Sequence, residues 1–598
     1  MNKFFRTFWA ALLAFVVGTV VVWLFVFLIF AGISAAFTPK PVPIMSNSVL
    51  KIDLADAVVD SPESRRISFN ISTYNTTGSL SLLDVLNAIE RAETDPNIKG
   101  IYINLTGSGG TGISQVEELR AALLKFKESG KFIVSYEEYY SQVGYYLASV
   151  SDKVFLNPHG GMNWNGLSAT IMFYKGLLDK LDIQVEILRH GTYKSAVEPY
   201  MDTKMSPANR EQTSVYVNSM WNILLSDISA SRGITVENLD KYATDLAIRD
   251  PQDAKRLGFV DELLYEDQVM NVLAALVNGE QIGDYTSVAE GEAPKMTYMG
   301  DYVSSVKASA RNISRNKIAV IYADGDITDG DSSPGVVGSS TLAKKLADAR
   351  KDENVKAVVF RVNSPGGSAM ASEVMWREVE LLRQEKPVIV SMGSYAASGG
   401  YYIACPGDVI LSDRSTITGS IGVFGMIMNL EKTMKNKIGL TTDVVRTNPH
   451  GDMGQIFRGL TQPERDYYMH GIKTTYGTFV NRVADGRNMT FDEVDRIGEG
   501  RVWLGTDAKE VGLVDGFGGI KDAITLAADR AGVAGDYRVH EMVNTGNPFS
   551  ALFRSLADMP MSRMRNELGD AFEEYNHLMK TLSEPGVQAR LPYVVEIQ

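Results

Sequence analysis

Residues 133–148 read IVSYEEYYSQVGYYLA, and residues 389–404 read IVSMGSYAASGGYYIA. Eight of these sixteen positions are identical at a constant offset of 256 residues. A second pair of blocks, KGIYINLTGSGG at 99–110 and KAVVFRVNSPGG at 356–367, matches at an offset of 257. Solenoid repeats are only about 20–50 residues long, so this repeat indicates the duplication of a whole folding unit.

The duplication predicts two units of the same fold, one at 46–310 and one at 311–598. In the second unit three short apolar runs stand out, KIAVIYA at 317–323, AVVFRV at 357–362 and VIVSM at 388–392, and helical patterns separate them. Buried strands that alternate with helices indicate an α/β fold with a largely parallel sheet. The predicted fold class is therefore α/β, with two such domains in tandem.

The first 45 residues are predicted to be a short cytoplasmic tip followed by a transmembrane helix. From Phe8 to Phe37 no residue is charged. A helix crosses a bilayer core with about 20 residues, whereas the apolar core of a signal peptide has roughly 7–15. The run therefore favours an uncleaved anchor, although the small residues at 32–36 leave cleavage open as an alternative. Lys3 and Arg6 place the leading side in the cytoplasm and the rest of the chain outside it.

Composition excludes several classes of protein. The net charge of −13 argues against nucleic acid as a partner, because phosphate binding needs a basic surface. Cys405 is the one cysteine of the chain, so no intramolecular disulfide can form. Six scattered histidines without a Cys/His cluster argue against a structural zinc site, and no metal site is predicted.

Ser398 is the candidate nucleophile. It lies among small residues in MGSYAASGGYYIA, where a strand is predicted to end near Met392 and a helix to begin at the serine. Small neighbours allow a sharp turn, and free N–H groups at a helix start favour developing negative charge. The alternative is an ordinary serine that caps a helix.

A glycine pair supplies the candidate oxyanion hole. Gly366 and Gly367 lie in NSPGGS, directly after a predicted strand, at the edge of the sheet where open α/β folds bind ligands. Their amides, together with that of Gly399, could hold an oxyanion beside Ser398. The alternative is a tight turn between a strand and a helix.

A serine nucleophile needs a base, and histidine is the usual one. His190 and His450 are nearest in sequence, but neither lies in a pattern typical of a base, and no histidine occurs between Pro406 and Pro449. Lysine is the other choice, provided that burial lowers its pKa from about 10.4 to about 7–8.

Lys194 is the candidate base. It lies among small and apolar residues in RHGTYKSAVEPY, although most lysines are solvated surface groups. The duplication favours the catalytic interpretation. The first copy has Gln142 where the second has Ser398, and the second has His450 or Gly451 where the first has Lys194. One copy has kept a nucleophile and the other a base, so the two copies would share one site.

These motifs resemble the long form of the signal peptide peptidase A (protease IV) family, within the ClpP/crotonase fold superfamily. The resemblance covers nearly the whole chain and rests on GTYKSAVEPY, NSPGG, SMGSYAASGGYYIA and TGSIGVFG. It implies that the first ClpP-like repeat supplies Lys194 as the general base and the second supplies Ser398 as the nucleophile. Ser420, in TGSIG, is expected to hydrogen-bond the lysine, or alternatively to cap a turn.

The resemblance also implies a function. A serine endopeptidase with a Ser/Lys dyad would degrade cleaved signal peptides, and other apolar peptides, at the outer face of the bacterial cytoplasmic membrane. It would work as a homotetramer without a cofactor. Two alternatives stay open: a crotonase-like acyl-CoA hydrolase or hydratase, and a non-enzymatic membrane scaffold. The net negative charge argues against the acyl-CoA enzyme, because coenzyme A is anionic. The division of the serine and the lysine between the two copies also argues against it.

Overall fold

The computed structural model describes most of the chain beyond the amino-terminal segment. The described residues are 6–9, 12–15, 17–19, 21–22, 24–25, 43–53, 58–64, 67–70, 75–105, 111–309, 312–543 and 587–590. The predicted anchor at 8–37 therefore lies partly outside them, and all of 26–37 does. Among the described residues, no helix combines the length and the apolar character needed to cross a bilayer.

The strands of the described residues form four sheets. In chain order they are β1 (Ser48–Ile52), β2 (Ile67–Asn70), β3 (Asn75–Gly78), β4 (Ile98–Ile103), β5 (Phe132–Tyr140), β6 (Lys153–Met162), β7 (Gln184–Arg189), β8 (Glu262–Leu263), β9 (Lys295–Tyr298), β10 (Lys317–Asp324), β11 (Asp326–Thr328), β12 (Val336–Gly338), β13 (Val355–Ser364), β14 (Gly366–Ser368), β15 (Val388–Ala397), β16 (Val409–Ser412), β17 (Ile417–Gly419), β18 (Phe424–Asn429), β19 (Val502–Leu504), β20 (Gly516–Phe517), β21 (Arg538–Glu541) and β22 (Val587–Arg590).

Helices follow most of these strands. They are α1 (Leu82–Thr94), α2 (Ile113–Lys127), α3 (Gln142–Ala148), α4 (Lys175–Lys180), α5 (Glu198–Met201), α6 (Pro207–Arg232), α7 (Val236–Thr244), α8 (Pro251–Arg256), α9 (Glu266–Val277), α10 (Met299–Ser309), α11 (Ser339–Lys351), α12 (Ala369–Arg383), α13 (Gly399–Ala404), α14 (Glu431–Thr433), α15 (Gln462–Arg487), α16 (Phe491–Ile497), α17 (Gly505–Glu510) and α18 (Ile520–Arg530).

The first repeat is built on a six-stranded parallel sheet. Its order is β8–β6–β5–β4–β1–β9, and every neighbouring pair is parallel. Apolar residues of β4 and β5 are buried, as expected of strands that helices cover on both faces. The prediction of an α/β fold is confirmed in this half.

The second repeat has the larger sheet, in the order β19–β17–β15–β13–β10–β21, with β16 also beside β15. The three predicted strands and the helices between them are present as β10, β13, β15, α11 and α12. One prediction was wrong: β15 does not end near Met392 but runs to Ala397. It continues because its first part pairs with β16 and its last part pairs with β17, which supplies new hydrogen-bond partners.

A third sheet joins the two halves of the chain. Its order is β12–β11–β14–β22–β18–β7, and β7 is its only strand from the first repeat among the described residues. β7 pairs with β18 in antiparallel register, from Gln184 opposite Asn429 to Arg189 opposite Phe424. This pairing carries the segment after β7, which contains Lys194, into the second repeat.

A buried ion network also connects the halves. Arg361 on β13 is fully buried, and its guanidinium lies 2.7 Å from Asp60 and 2.7 Å from Glu118, both of the first repeat. Its remaining donors reach Ser391 Oγ at 2.8 Å and Met392 O at 3.0 Å. Buried charges are tolerated when they are paired and hydrogen-bonded in this way.

Candidate active site

Ser398 sits at a strained turn between β15 and α13. Its backbone has φ 54° and ψ −116°, a left-handed conformation that costs a non-glycine residue of the order of 1–3 kcal/mol. A strained strand-to-helix turn also presents the serine of the nucleophile elbow in α/β-hydrolases. Ser398 precedes the helix, but its side chain makes no capping hydrogen bond. Helix capping therefore does not account for this serine.

Lys194 meets Ser398 inside the protein. The lysine Nζ lies 2.8 Å from Ser398 Oγ, and both residues are fully buried. The two residues are far apart in sequence and come from different repeats. The β7–β18 pairing brings the lysine segment across, and the amide of Tyr193 then donates to Glu499 O at 3.0 Å, which fixes the backbone beside the lysine.

The surroundings of Lys194 favour the neutral amine. Burial lowers the pKa of Lys194 well below its ordinary value, because the charged form loses its hydration. Besides Ser398 Oγ, Nζ contacts Ser420 Oγ at 3.1 Å and Ser420 O at 3.2 Å, both neutral groups. A neutral amine has a free electron pair and can accept the proton of the serine hydroxyl.

Ser420 lies beside the lysine. It adopts φ 50°, and its amide donates to Arg501 O at 2.7 Å. Its hydroxyl lies 3.4 Å from Gly500 O. With Nζ, these bonds hold Ser420 between the lysine and the segment that precedes β19.

The predicted glycines also lie at Ser398. Gly366 has φ 104°, and its amide donates to Ser364 Oγ at 3.2 Å. A methyl group built on Gly399 would lie only 3.2 Å from Gly366 Cα, so these two glycines are packed side by side. Gly367, with φ 154°, pairs with Ile327 of β11. Residues with a Cβ would not fit this close approach.

The two histidines considered as bases make contacts elsewhere. The ring of His190 lies 4.3 Å from the ring of Tyr476. His450 lies 2.9 Å from Glu464 through Nδ1 and is exposed. Neither of these contacts involves Ser398.

Comparison with known proteins gives the family. The model of peptidase family S49 matches residues 125–280 and 380–534, one stretch in each repeat. The chain belongs to peptidase family S49. The S49 peptidase domain is thus duplicated in tandem, and the predicted family and enzyme class, a serine protease, are confirmed.

Several relatives of this S49 peptidase carry informative names. It is 38% identical to "Protease 4" of Salmonella typhi over 81% of this chain and 79% of that protein. It is 30% identical to "Serine protease SPPA, chloroplastic" of Arabidopsis thaliana over 85% of this chain and 73% of that protein. It is 29% identical to "Putative signal peptide peptidase SppA" of Enterococcus faecium over 43% of this chain and 75% of that protein.

Sequence reasoning missed the residues of the S49 peptidase that enclose the lysine. A methyl group on Gly500 would lie 2.6 Å from Lys194 Cα, and one on Gly422 would lie 3.2 Å from Lys194 Cδ. Gln212 of α6 donates to Tyr193 O at 3.2 Å and accepts from the amide of Val502 at 3.1 Å. A glycine before a strand and a glutamine in a helix carry no sequence signal that links them to a distant lysine.

Proposed function

We propose that this S49 peptidase is a serine endopeptidase with a Ser/Lys dyad, in which Ser398 is the nucleophile and Lys194 the general base. One observation carries the proposal: Nζ and Oγ lie 2.8 Å apart. Hydrogen-bond reach between nucleophile and base is the geometric requirement for this chemistry. The lowered pKa of Lys194 supports the proposal further, because only the neutral amine can act as a base at neutral pH.

In the proposed mechanism Lys194 accepts the hydroxyl proton while Ser398 Oγ attacks the peptide carbonyl carbon. The amide of Gly399, with that of Gly367 or Gly366, would stabilise the oxyanion. Lys194 then gives its proton to the leaving amine, and water hydrolyses the acyl-enzyme. Ser420 would hold Nζ in line with Oγ through its two contacts to the amine.

Cleaved signal peptides are the proposed substrates, together with other apolar peptides. Support comes from the name of the Enterococcus faecium relative, a putative signal peptide peptidase. The chemistry agrees, because a cleft dry enough to keep a lysine neutral also accepts apolar side chains. Extended peptides can add to sheet edges through main-chain hydrogen bonds.

We further infer that residues 1–45 anchor the enzyme in the bacterial cytoplasmic membrane by one crossing. The repeats, at 46–310 and 311–598, would then lie on the periplasmic or outer side. Support comes from the uncharged run at 8–37, which is long enough to span, and from Lys3 and Arg6 before it. Signal peptides stay in the membrane after cleavage, so an anchored peptidase would meet them there.

The duplication supports a homo-oligomer as well. KLDIQVEILR at 180–189 includes β7 and matches KIGLTTDVVR at 437–446 at an offset of 257. Both copies turn through a left-handed residue, Asp182 with φ 57° and Gly439 with φ 80°. Yet 441–446 is exposed and has no strand partner among the described residues, and Val445 is 99% exposed.

The partner of the second segment would lie on another chain. β7 pairs with β18, and the equivalent of β18 in the first repeat is 168–173, which also pairs with no strand in the described part of the chain. Antiparallel pairing of 168–173 with 441–446 of a second copy would repeat the β7–β18 contact. Head-to-tail contacts form a ring when the rotation between subunits closes, and the family resemblance implies a closed homotetramer.

A serine-reactive phosphonate probe tests the proposed function directly. Probe labelling of the full-length enzyme, followed by mass mapping, is expected to modify Ser398 at neutral pH. Labelling should disappear in Lys194→Ala, because the hydroxyl then has no base. Modification of another serine with equal efficiency in both proteins would refute the assignment.

A further inference from the structure

Gln212 on α6 is a buried polar residue beside the lysine segment. It is only 1% exposed, so its side-chain amide needs hydrogen-bond partners inside the protein. Its Nε2 lies 3.2 Å from Tyr193 O and 2.9 Å from Ser195 Oγ, and these are the residues immediately before and after Lys194. The side chain of Gln212 therefore holds both neighbours of the lysine.

The oxygen of the same side-chain amide binds the second repeat. Gln212 Oε1 accepts from the backbone amide of Val502 at 3.1 Å. Because a backbone N–H can only donate, this bond fixes the orientation of the side-chain amide, and the hydrogens on Nε2 must face the lysine segment. A single side chain thus connects the lysine segment of the first repeat to β19 of the second.

The residues just before Val502 hold Ser420. Arg501 O accepts from the amide of Ser420 at 2.7 Å, and Gly500 O lies 3.4 Å from Ser420 Oγ. Ser420 in turn contacts Lys194 Nζ through its hydroxyl and its carbonyl. The distance between the segment 500–502 and the lysine backbone therefore decides whether the amine stays within reach of Ser420.

The second repeat has an equivalent helix without this glutamine. α6 and α15 are both 26 residues long, and their N-cap residues, Ser206 and Thr461, lie 255 residues apart. At this offset Gln212 corresponds to Tyr467, which is 68% exposed. The buried glutamine thus belongs to the copy that carries Lys194, as expected of a residue that serves the lysine.

We propose that Gln212 is a positioning residue, which holds Lys194 and Ser420 at the separation that keeps the amine beside Ser398. This inference rests on the proposed roles of Ser398 and Lys194. The side-chain amide of Gln212 contacts the neighbours of the lysine, so its effect on catalysis passes through the placement of Nζ. In its absence the lysine segment and β19 lose a buried hydrogen-bond bridge and can move apart.

Gln212→Met tests this role, because methionine has nearly the same length as glutamine but lacks the amide donor and acceptor. The kcat on a small apolar peptide ester is expected to fall by about 10²-fold with little change in KM, because the base is misplaced while the substrate site is intact. Tyr467→Met is the matched control and should hydrolyse the ester like the wild type. Titration with the phosphonate probe counts active sites, so that unfolded protein does not lower kcat. Equal kcat in Gln212→Met and the wild type would overturn the positioning role.

The pH profile of the same variants separates positioning from a general loss of stability. Burial lowers the pKa of Lys194, so an amine that moves away from its serine partners and meets water should recover part of its ordinary pKa. The midpoint of kcat/KM is expected to move to higher pH in Gln212→Met and to stay in place in Tyr467→Met. A lower rate with an unchanged midpoint would assign the loss to general structure and overturn the inference.

Combination with Ser420→Ala tests the link to the second serine. If Gln212 places Ser420 against the amine, part of its effect is already lost when the Ser420 hydroxyl is removed. Gln212→Met is therefore expected to reduce kcat by a smaller factor in the Ser420→Ala enzyme than in the wild type. Equal factors in the two backgrounds would overturn this link.

Lys194→Ala, assayed beside these variants, distinguishes failure of this inference from failure of the proposed function. Substantial activity in folded Lys194→Ala would overturn the dyad itself. An inactive Lys194→Ala beside a fully active Gln212→Met would overturn the positioning role alone.

Discussion

Gln142 and Ser398 occupy equivalent positions in the two repeats and face equivalent carbonyls. Gln142 Nε2 donates to Gly166 O at 3.0 Å, and Ser398 Oγ lies 3.5 Å from Gly422 O. Ser398 lies 256 residues after Gln142, and Gly422 lies 256 residues after Gly166. Gln142 also accepts from the amide of Gly166 at 2.9 Å. The side chain of Gln142 thus makes hydrogen bonds to the backbone of Gly166, whereas the side chain of Ser398 contacts Lys194.

This equivalence provides a matched control for the dyad. Ser398→Ala and Lys194→Ala are each expected to reduce kcat/KM on a peptide substrate by at least about 10⁴-fold, because nucleophile and base act as one unit. Gln142→Ala should turn over substrate like the wild type. Circular dichroism checks that all three proteins are folded. Substantial activity in folded Lys194→Ala would rule out the lysine as the base.

Arg361, which is buried between the repeats, should contribute strongly to the free energy of unfolding. Arg361→Leu leaves Asp60 and Glu118 buried without their cation, which is expected to cost about 3–5 kcal/mol of unfolding free energy. Lys344→Met is the control, because it removes a surface ion pair worth at most about 1 kcal/mol. Thermal unfolding of both variants measures the difference.

The loss of stability in Arg361→Leu should depend on pH, because Glu118 is left without its cation. Burial already raises its pKa, and removal of the arginine should raise it further. The folded variant would then bind more protons than the unfolded chain, so its stability falls as pH rises above the ordinary range of a glutamate. The deficit in Tm should be larger at pH 8 than at pH 5. A deficit that does not change with pH would mean that the lost packing, not charge, is responsible.

Local patterns sufficed to predict much of this fold. The apolar runs that became β10 and β13 are short, rich in β-formers and followed by helices, so periodicity identified them. The end of β15 was mispredicted because a strand that changes partners looks, in sequence, like a strand that has ended. Small residues after Met392 indicated a turn, but they were still within the strand.

Short motifs and the family resemblance indicated the glycines and Ser420, whereas the choice of Lys194 depended on the comparison of the two copies. One copy has Gln142 in place of Ser398, and the other has His450 or Gly451 in place of Lys194. This double contrast favoured Lys194 without any distance information. Gln212 and Gly500 could not be identified in this way, since their contacts with the lysine segment arise from tertiary packing across the repeats. The pairing of β22 with β14 could not be predicted either, because it is a property of the folded chain.

Assembly should depend on the unpaired segments of the two repeats. Val445→Asp introduces a charge into the predicted intermolecular strand pair, so the ring is expected to dissociate toward monomers in light scattering. Val236→Asp is the control, since Val236 is also exposed and an acidic residue suits the first turn of α7. An unchanged mass for Val445→Asp would exclude this pairing.

The first 45 residues should be responsible for binding of the enzyme to the membrane. The full-length enzyme is expected to sediment with lipid vesicles, because its uncharged run buries about 20 or more apolar residues. Residues 46–598 should stay in the supernatant and still hydrolyse small apolar peptide esters. Flotation on a density gradient, with activity assayed in each fraction, distinguishes the two proteins. Flotation of the shorter protein would place the membrane contact in the repeats.

The last prediction concerns the protonation of Lys194. A base works only when it is neutral, so kcat/KM should rise with pH along one ionisation and be lost as acid protonates the amine. Because burial lowers the pKa of Lys194 well below its ordinary value, the midpoint should lie well below about 10.4. Lys194→Arg should be inactive throughout, since a guanidinium stays charged to about pH 12 or above. The kcat/KM ratio reports groups of the free enzyme, so its pH profile is the decisive measurement. A near-normal rate for Lys194→Arg would assign the base to another residue.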